Sequence, residues 1–199
     1  MPTDSQIPNT PPPDPPTWQT LSTQVAFQNR WVTVLQDEVA LPTTESYQYT
    51  RLHVNGIGVG VLGFDATGDH VLLEREYRHG VGEVIWQCPG GLAQPNEDLR
   101  TAGLRELLEE TGYAPATLAD DSVRYLGVIW DNPALGTACS HVYAAWGLRQ
   151  VQPPQRDPGE FVTCRWQSTD WLRAAVRNGE IRDRVVVGAV AFLLLNNLL

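Results

Sequence analysis

The residues best placed for chemistry are Glu106, Glu109 and Glu110, in the segment GLAQPNEDLRTAGLRELLEETGY from Gly91 to Tyr113. Read as a helix at about 100° per residue, the three carboxylates share an arc of about 100°. Leu104, Leu107 and Leu108 fall elsewhere, which predicts an apolar face for a sheet and a carboxylate face opposite. Ala102 and Gly103 flank the acids with almost no side chain, so a bulky ligand has room to approach them. Like charges four residues apart cost roughly 0.2–0.5 kcal/mol even on a solvated helix. Arg105 offsets part of this, and a divalent cation offsets more. Mg²⁺ takes oxygen donors, typically one or two carboxylates, and leaves positions for water and a substrate phosphate. Taken alone, E-x-x-E-E is also the pattern of a solvated acidic face.

The elements that must hold these acids are legible around them. Asn96 is the predicted N-cap, Glu97 and Asp98 suit the positive end of the helix dipole, and Gly112 is the predicted stop. RWVTVLQDEVALP and SYQYTRLHV alternate as two or three strands over residues 17–52. GIGVGVLGF and HVLLEREYRHG read as strands about a turn at Asp65–Asp69, and VIWQC as a short strand stopped by Pro89-Gly90-Gly91. SVRYLGVIW, SHVYAAWGL and FVTCRWQS are further strands, and TDWLRAAVRNGEI and the run from Val185 are helices. The sum is an α/β fold, a mixed α+β sheet with helices on its faces.

Composition excludes several functions. The net charge is −9, and all fourteen cations are Arg, with no Lys. That disfavours nucleic acid as a partner and removes lysine-dependent P-loops and Schiff bases. The three cysteines are widely spaced with no CxxC, so reduced thiols are expected. Residues 1–16 carry seven of the fifteen prolines and no secretory pattern, which predicts a disordered tail and a cytoplasmic protein. The apolar run Val185–Leu195 spans about 16 Å as a helix, too short for a bilayer core of about 30 Å, so a buried core helix and no membrane contact are expected.

The spacing Gly91-x5-Glu97-x7-Arg105-Glu106-Leu107-x-Glu109-Glu110-x-Gly112-Tyr113 resembles the Nudix box of the Nudix hydrolases. Seven fixed identities coincide, which at ordinary residue frequencies has a chance of order 10⁻⁸ per start position. The resemblance implies an α/β/α sandwich over residues 53–199, preceded by a small N-terminal β region. It implies Mg²⁺- or Mn²⁺-dependent hydrolysis of a nucleoside diphosphate linked to another group. By position, Glu106 and Glu110 would be the main metal ligands, Glu109 a ligand or base, and the Gly90 carbonyl a further ligand. Glu97 and Arg105 would brace loop and helix by a salt bridge.

RWVTVLQDEVALP, LLEREYRHG and NPALGTACSHVYAAWGL further resemble the ADP-ribose (ADP-sugar) pyrophosphatase branch. That branch implies a nucleotide-sugar substrate and a homodimer in which the N-terminal strands swap. Trp31 matches an aromatic that stacks on adenine, Arg78 a substrate-contacting Arg, and Pro133 a proline of the loop facing the site. Glu160, after Asp157-Pro158-Gly159, is the candidate base, with Glu109 its rival. Gln87 and Gly90 stand where the branch usually has Glu and Ala, and Tyr113 where an aliphatic residue is usual. Other substrates remain open: GDP-mannose, a dinucleoside polyphosphate or an oxidised nucleoside triphosphate. A non-catalytic nucleotide-binding module is the reading from another class.

Overall fold

The structure, a computed structural model, describes residues 13–43, 45–156 and 159–199. Residues 1–12 of the expected Pro-rich tail, and Asp157 and Pro158, lie outside the described residues. Chain contacts divide the molecule into Met1–Leu52 and His53–Leu199.

The first unit is built on a three-stranded sheet of β1 (Gln19–Gln28), β2 (Val32–Ala40) and β3 (Ser46–Val54), with β2 central. β1 and β2 pair antiparallel, from Gln19 opposite Ala40 to Gln28 opposite Thr33. Asp37 is buried at the heart of this sheet, accepting from Arg51 Nε at 2.5 Å and Thr23 Oγ1 at 2.7 Å. The Arg51 bond, helped by Thr23, holds its carboxyl below the usual range. All of β1 is exposed, including Leu21, Val25 and Phe27. Trp31 is also exposed, at the turn into β2, with the Arg30 guanidinium 4.5 Å from its ring centre.

The second unit holds a seven-stranded mixed sheet. Its path is β12 (Val162–Ser168), β5 (His70–Arg78), β4 (Gly58–Phe64), β10 (Cys139–Ala145) and β9 (Val123–Trp130). β6 (Glu83–Gln87) pairs with β5, and β7 (Gly90–Leu92) with β4. β4 and β10 run parallel, whereas β10–β9, β12–β5, β4–β5, β4–β7 and β5–β6 pair antiparallel. A separate ribbon joins β8 (Tyr113–Pro115) to β11 (Leu148–Gln150). Successive strand residues point to opposite faces. Val61, Leu72 and Tyr143 pack with Leu107 of α1 (Leu99–Thr111). Leu62, Leu73 and Val142 pack with α2 (Thr169–Arg177) and α3 (Arg184–Leu195). The expected mixed sheet between helical layers is the observed fold.

Three local expectations are corrected. The N-cap of α1 is Asp98, not Asn96. A cap needs extended backbone, and Asp98 has φ −64° and ψ 132° and accepts from the Thr101 N–H, whereas Asn96 has φ 64° and sits in the turn before it. The acidic arc does not oppose the sheet, because Ala102, Gly103, Leu107, Glu110 and Thr111 are the buried residues of α1. Ala102 and Gly103 therefore serve close packing rather than ligand access: a Cβ on Gly103 would stand 3.0 Å from Val61 Cγ2. Finally, α3 is only half a core helix. Val186, Ala189, Val190 and Leu193 are buried at helical spacing, but Val187, Leu194 and Leu195 are exposed. No helix of the described residues is long and apolar enough to cross a membrane.

Candidate active site

The site grows from the two ends of α1. Asp98 starts it, and Gly112 ends it in the left-handed conformation (φ 77°), its N–H returning to the Leu108 carbonyl. Between these caps Arg105 is the hub. Its Nε and Nη2 take both oxygens of Glu97 at 2.9 and 3.0 Å. Its Nη1 donates to Glu106 Oε1 at 2.9 Å and Glu109 Oε2 at 3.0 Å. Glu97 also accepts the Gln94 N–H at 2.8 Å, so the loop before the helix is tied to its second turn. The Arg105 bonds lower the Glu97 pKa, and Glu97 above all raises that of Arg105.

Glu110 points under the helix. It is 7% exposed, and its Oε2 accepts the Gly90 N–H at 2.8 Å. Burial pushes its carboxyl up to about 9, with Glu74, Glu106 and Glu160 adding to the rise. Burial also raises Glu106, where Arg105 opposes the shift and Glu109 and Glu160 reinforce it. Glu160, beyond β11, thus bears electrically on both acids. Gly91 lies directly against Glu106: a Cβ there would stand 2.7 Å from the carboxylate carbon.

Two members of this neighbourhood have no counterpart in the sequence reading. Glu74 of β5 is 2% exposed, and burial raises it to about 7 against the pull of Arg156 and Cys164. Its signal was the period of two in LLEREYR, which puts Leu72, Glu74, Glu76 and Arg78 on one face. Arg156 donates to the Glu110 carbonyl at 2.7 Å and the Cys164 thiol at 3.2 Å. It comes from a stretch without periodicity, forty-six residues past Glu110.

Buried, mutually repelling carboxylates are a donor set suited to a hard divalent cation. Among the described residues, no three acidic, His or Cys side chains already converge into a metal-binding group. Glu106 and Glu109 are turned to Arg105 instead. The chemistry of the donors fits the ion, and the carboxylates must turn toward it.

The family model described as NUDIX domain matches residues 54–187. The chain belongs to the Nudix family. A second model, described as nucleoside diphosphate sugar hydrolase N-terminal domain, matches residues 18–43. This Nudix hydrolase is 28% identical to the methanol dehydrogenase activator of Bacillus methanolicus, over 91% of its own length and 95% of the relative's. It is 32% identical to an ADP-ribose pyrophosphatase of Saccharomyces cerevisiae, over 56% of this chain and 49% of that one. A solved structure titled as an ADP compounds hydrolase superposes with a TM-score of 0.79, over 94% of this chain and all of that one. At 17% identity that likeness shows the fold.

The Nudix helix and its flanks bring Glu97, Arg105, Glu106, Glu109, Glu110 and Gly90 together. Gly90 meets Glu110 through its N–H. Arg78 stands on the face of β5 that carries Glu74. Its Nε donates to Gln87 Oε1 at 2.5 Å and its Nη2 meets Glu76 Oε2 at 3.0 Å, while Gln87 Nε2 donates to that same Glu76 oxygen at 3.0 Å. The neutral Gln87 thus orients the guanidinium while Glu76 supplies the charge. Pro133 lies in the exposed loop after β9, where Arg184 ties down Asp131 at 2.6 Å. Trp31 belongs to the first unit.

Proposed function

We propose that this chain hydrolyses the diphosphate bond of a nucleoside diphosphate sugar, with ADP-ribose the leading substrate and AMP and ribose 5-phosphate the products. The observation that carries the reading is the carboxylate set of α1, half-buried beside Gly90 and Gly91 and braced by Arg105. The match of residues 18–43 to an N-terminal domain of nucleoside diphosphate sugar hydrolases supports the substrate class. Glu106, Glu110 and the Gly90 carbonyl would hold Mg²⁺ or Mn²⁺, with Glu109 beside them. When bound, the ion polarises the diphosphate and lowers the pKa of an attacking water.

The remaining roles fall to the chain itself. Glu160, or Glu109, takes the proton from the water. Glu97 and Arg105 keep the loop and helix in register. Arg78 holds diphosphate or ribose oxygens, for which a planar guanidinium is suited. Trp31 stacks on the base and Pro133 lines the facing loop. The reading assigns residues 53–199 to hydrolysis and residues 17–52 to a homodimer, for which the exposed Leu21, Val25 and Phe27 of β1 offer apolar surface. A monomeric mass in light scattering removes the dimer. The free thiols Cys88, Cys139 and Cys164 suit the reducing cytoplasm.

A panel of ADP-ribose, GDP-mannose, a dinucleoside polyphosphate and an oxidised nucleoside triphosphate, each with Mg²⁺ and with Mn²⁺, tests the assignment by product release. ADP-ribose is expected to be cleaved fastest. Faster cleavage of another member reassigns the substrate, and no release from any leaves only a binding module. Within the panel, Arg78→Ala is expected to raise the KM about tenfold or more, the scale of a lost charge-assisted hydrogen bond. An unchanged KM takes Arg78 out of substrate binding.

A further inference from the structure

The last turn of a helix leaves carbonyls without intrahelical partners. In α1 that turn carries Glu109 and Glu110, and a strap of chain, residues 151–156, lies across it. Val151 and Gln152 donate their N–H groups to the Gly112 carbonyl at 2.9 and 3.3 Å. The Gln155 N–H donates to the Glu109 carbonyl at 2.7 Å. The Arg156 Nε takes the Glu110 carbonyl at 2.7 Å. The approach is close: a Cβ on Gly112 would stand 2.1 Å from the Gln152 oxygen.

The other arm of the same guanidinium reaches Cys164 Sγ at 3.2 Å. Cys164 of β12 sits opposite Glu74 of β5 in the sheet register, with its thiol 3.7 Å from Glu74 Oε1 and 3.8 Å from the Glu110 carbonyl. One cation therefore joins the end of α1 to β12, and through the Cys164 thiol to Glu74 of β5. It does so at the negative end of the helix dipole, where positive charge is favoured. Four residues further along the chain stands Glu160.

We infer that Arg156 is a positioning residue for hydrolysis: it clamps the last turn of α1 to β12, fixing where the Glu109 and Glu110 carboxylates sit. The inference rests on the proposed metal-binding role of α1. Arg156 directs Nε and Nη2 to the Glu110 carbonyl and to Cys164, behind the carboxylates, so its loss is expected to act on metal affinity and kcat rather than on KM. A Lys offers one charged nitrogen in place of two diverging donors and replaces the clamp only in part.

The test uses the full chain as wild type, Arg156→Met, Arg156→Lys and Glu106→Gln. Mn²⁺ uptake is read from the resonance of the free ion, alongside thermal melting and steady-state kinetics with the substrate cleaved in the panel. Arg156→Met is expected to bind Mn²⁺ about 10–100-fold more weakly, the usual effect of removing a residue behind the ligands. Its kcat should fall in step while KM stays within about twofold. Arg156→Lys should lie between Arg156→Met and wild type. If Arg156→Met does not fold, a folded Arg156→Lys with lowered Mn²⁺ affinity and kcat supports the clamp. Wild-type values in a folded Arg156→Met overturn it. So do wild-type values in Arg156→Lys when Arg156→Met is unfolded, and so does loss of fold in both. Failure of the wild type to bind Mn²⁺, or binding unaffected in Glu106→Gln, overturns the metal reading and the clamp with it. Binding lost in Glu106→Gln but intact in both Arg156 variants overturns the clamp alone.

Discussion

Glu110→Gln is expected to lower kcat by about 10³-fold or more and, in the same molecule, to raise the melting temperature of the metal-free protein. The two effects share one cause. Glu110 is 7% exposed and faces Glu74, Glu106 and Glu160, so without a cation its ionised form is strongly disfavoured. A Gln keeps an oxygen for the Gly90 N–H, now 2.8 Å away, and brings no charge. The folded chain holds the Glu110 proton up to about pH 9, whereas the ordinary carboxyl value is 4.5. Between those values the folded state binds more protons than the unfolded one, so stability falls as pH rises. Below 4.5 both states are protonated and the contribution is constant. Glu74 adds a like fall that ends near pH 7. Melting of chelator-treated protein at pH 5, 7 and 9 should decline across the series in the wild type and more gently in Glu110→Gln. Each kcal/mol corresponds to about 2–4 °C in a chain of this size. Added Mn²⁺ should restore the wild type most at high pH, because binding to the folded state stabilises it. A variant that melts lower than the wild type at pH 9 would contradict the buried-charge account.

The sequence made the ingredients of this site readable and misjudged their orientation. Glu97, Arg105, Glu106, Glu109 and Glu110 lie within fourteen residues, so their spacing and charge were local facts. Which way the helix faced was not local. Periodicity assigned Leu104 and Leu108 to the sheet, but both are only half-buried. The sheet beneath α1 selects small residues instead, Ala102 and Gly103, and that rotation carries Glu110 inward. The cap slipped two residues, from Asn96 to Asp98, because an Asn that serves a left-handed turn looks in sequence like one that caps. β7, β8 and β11 are three residues each, too short for any alternation to declare them, and they exist through their partners β4 and each other. Arg156 illustrates the limit: its role follows from a contact forty-six residues distant, and nothing in PPQRDPGE announces it.

Gly91→Ala is the second large effect expected, and it separates activity from stability. The added methyl carbon would stand 2.7 Å from Cδ and Oε1 of Glu106 and 2.8 Å from Oε2. These are the far atoms of a flexible side chain, so the fold yields by moving the carboxylate. β7 keeps its pairing with Val59, and stability should stay within about 1 kcal/mol of wild type. The displaced carboxylate loses its place beside Glu110, and a shift of about 1 Å in a reacting array costs about 10²-fold in rate. Gly90→Ala is the matched contrast. Its methyl would meet the Val59 carbonyl oxygen at 2.2 Å and Gly60 Cα at 2.9 Å, both backbone atoms of β4 that cannot swing aside. There the strand pair itself must part, and a loss of about 1–3 kcal/mol is expected. Urea unfolding and kcat measured on the same preparations decide the matter. Gly91 is confirmed as the cradle of Glu106 when Gly91→Ala loses rate at near-constant stability while Gly90→Ala loses stability. If Gly91→Ala turns over as the wild type does, Glu106 does not need the position it occupies here, and the metal reading of that carboxylate is lost.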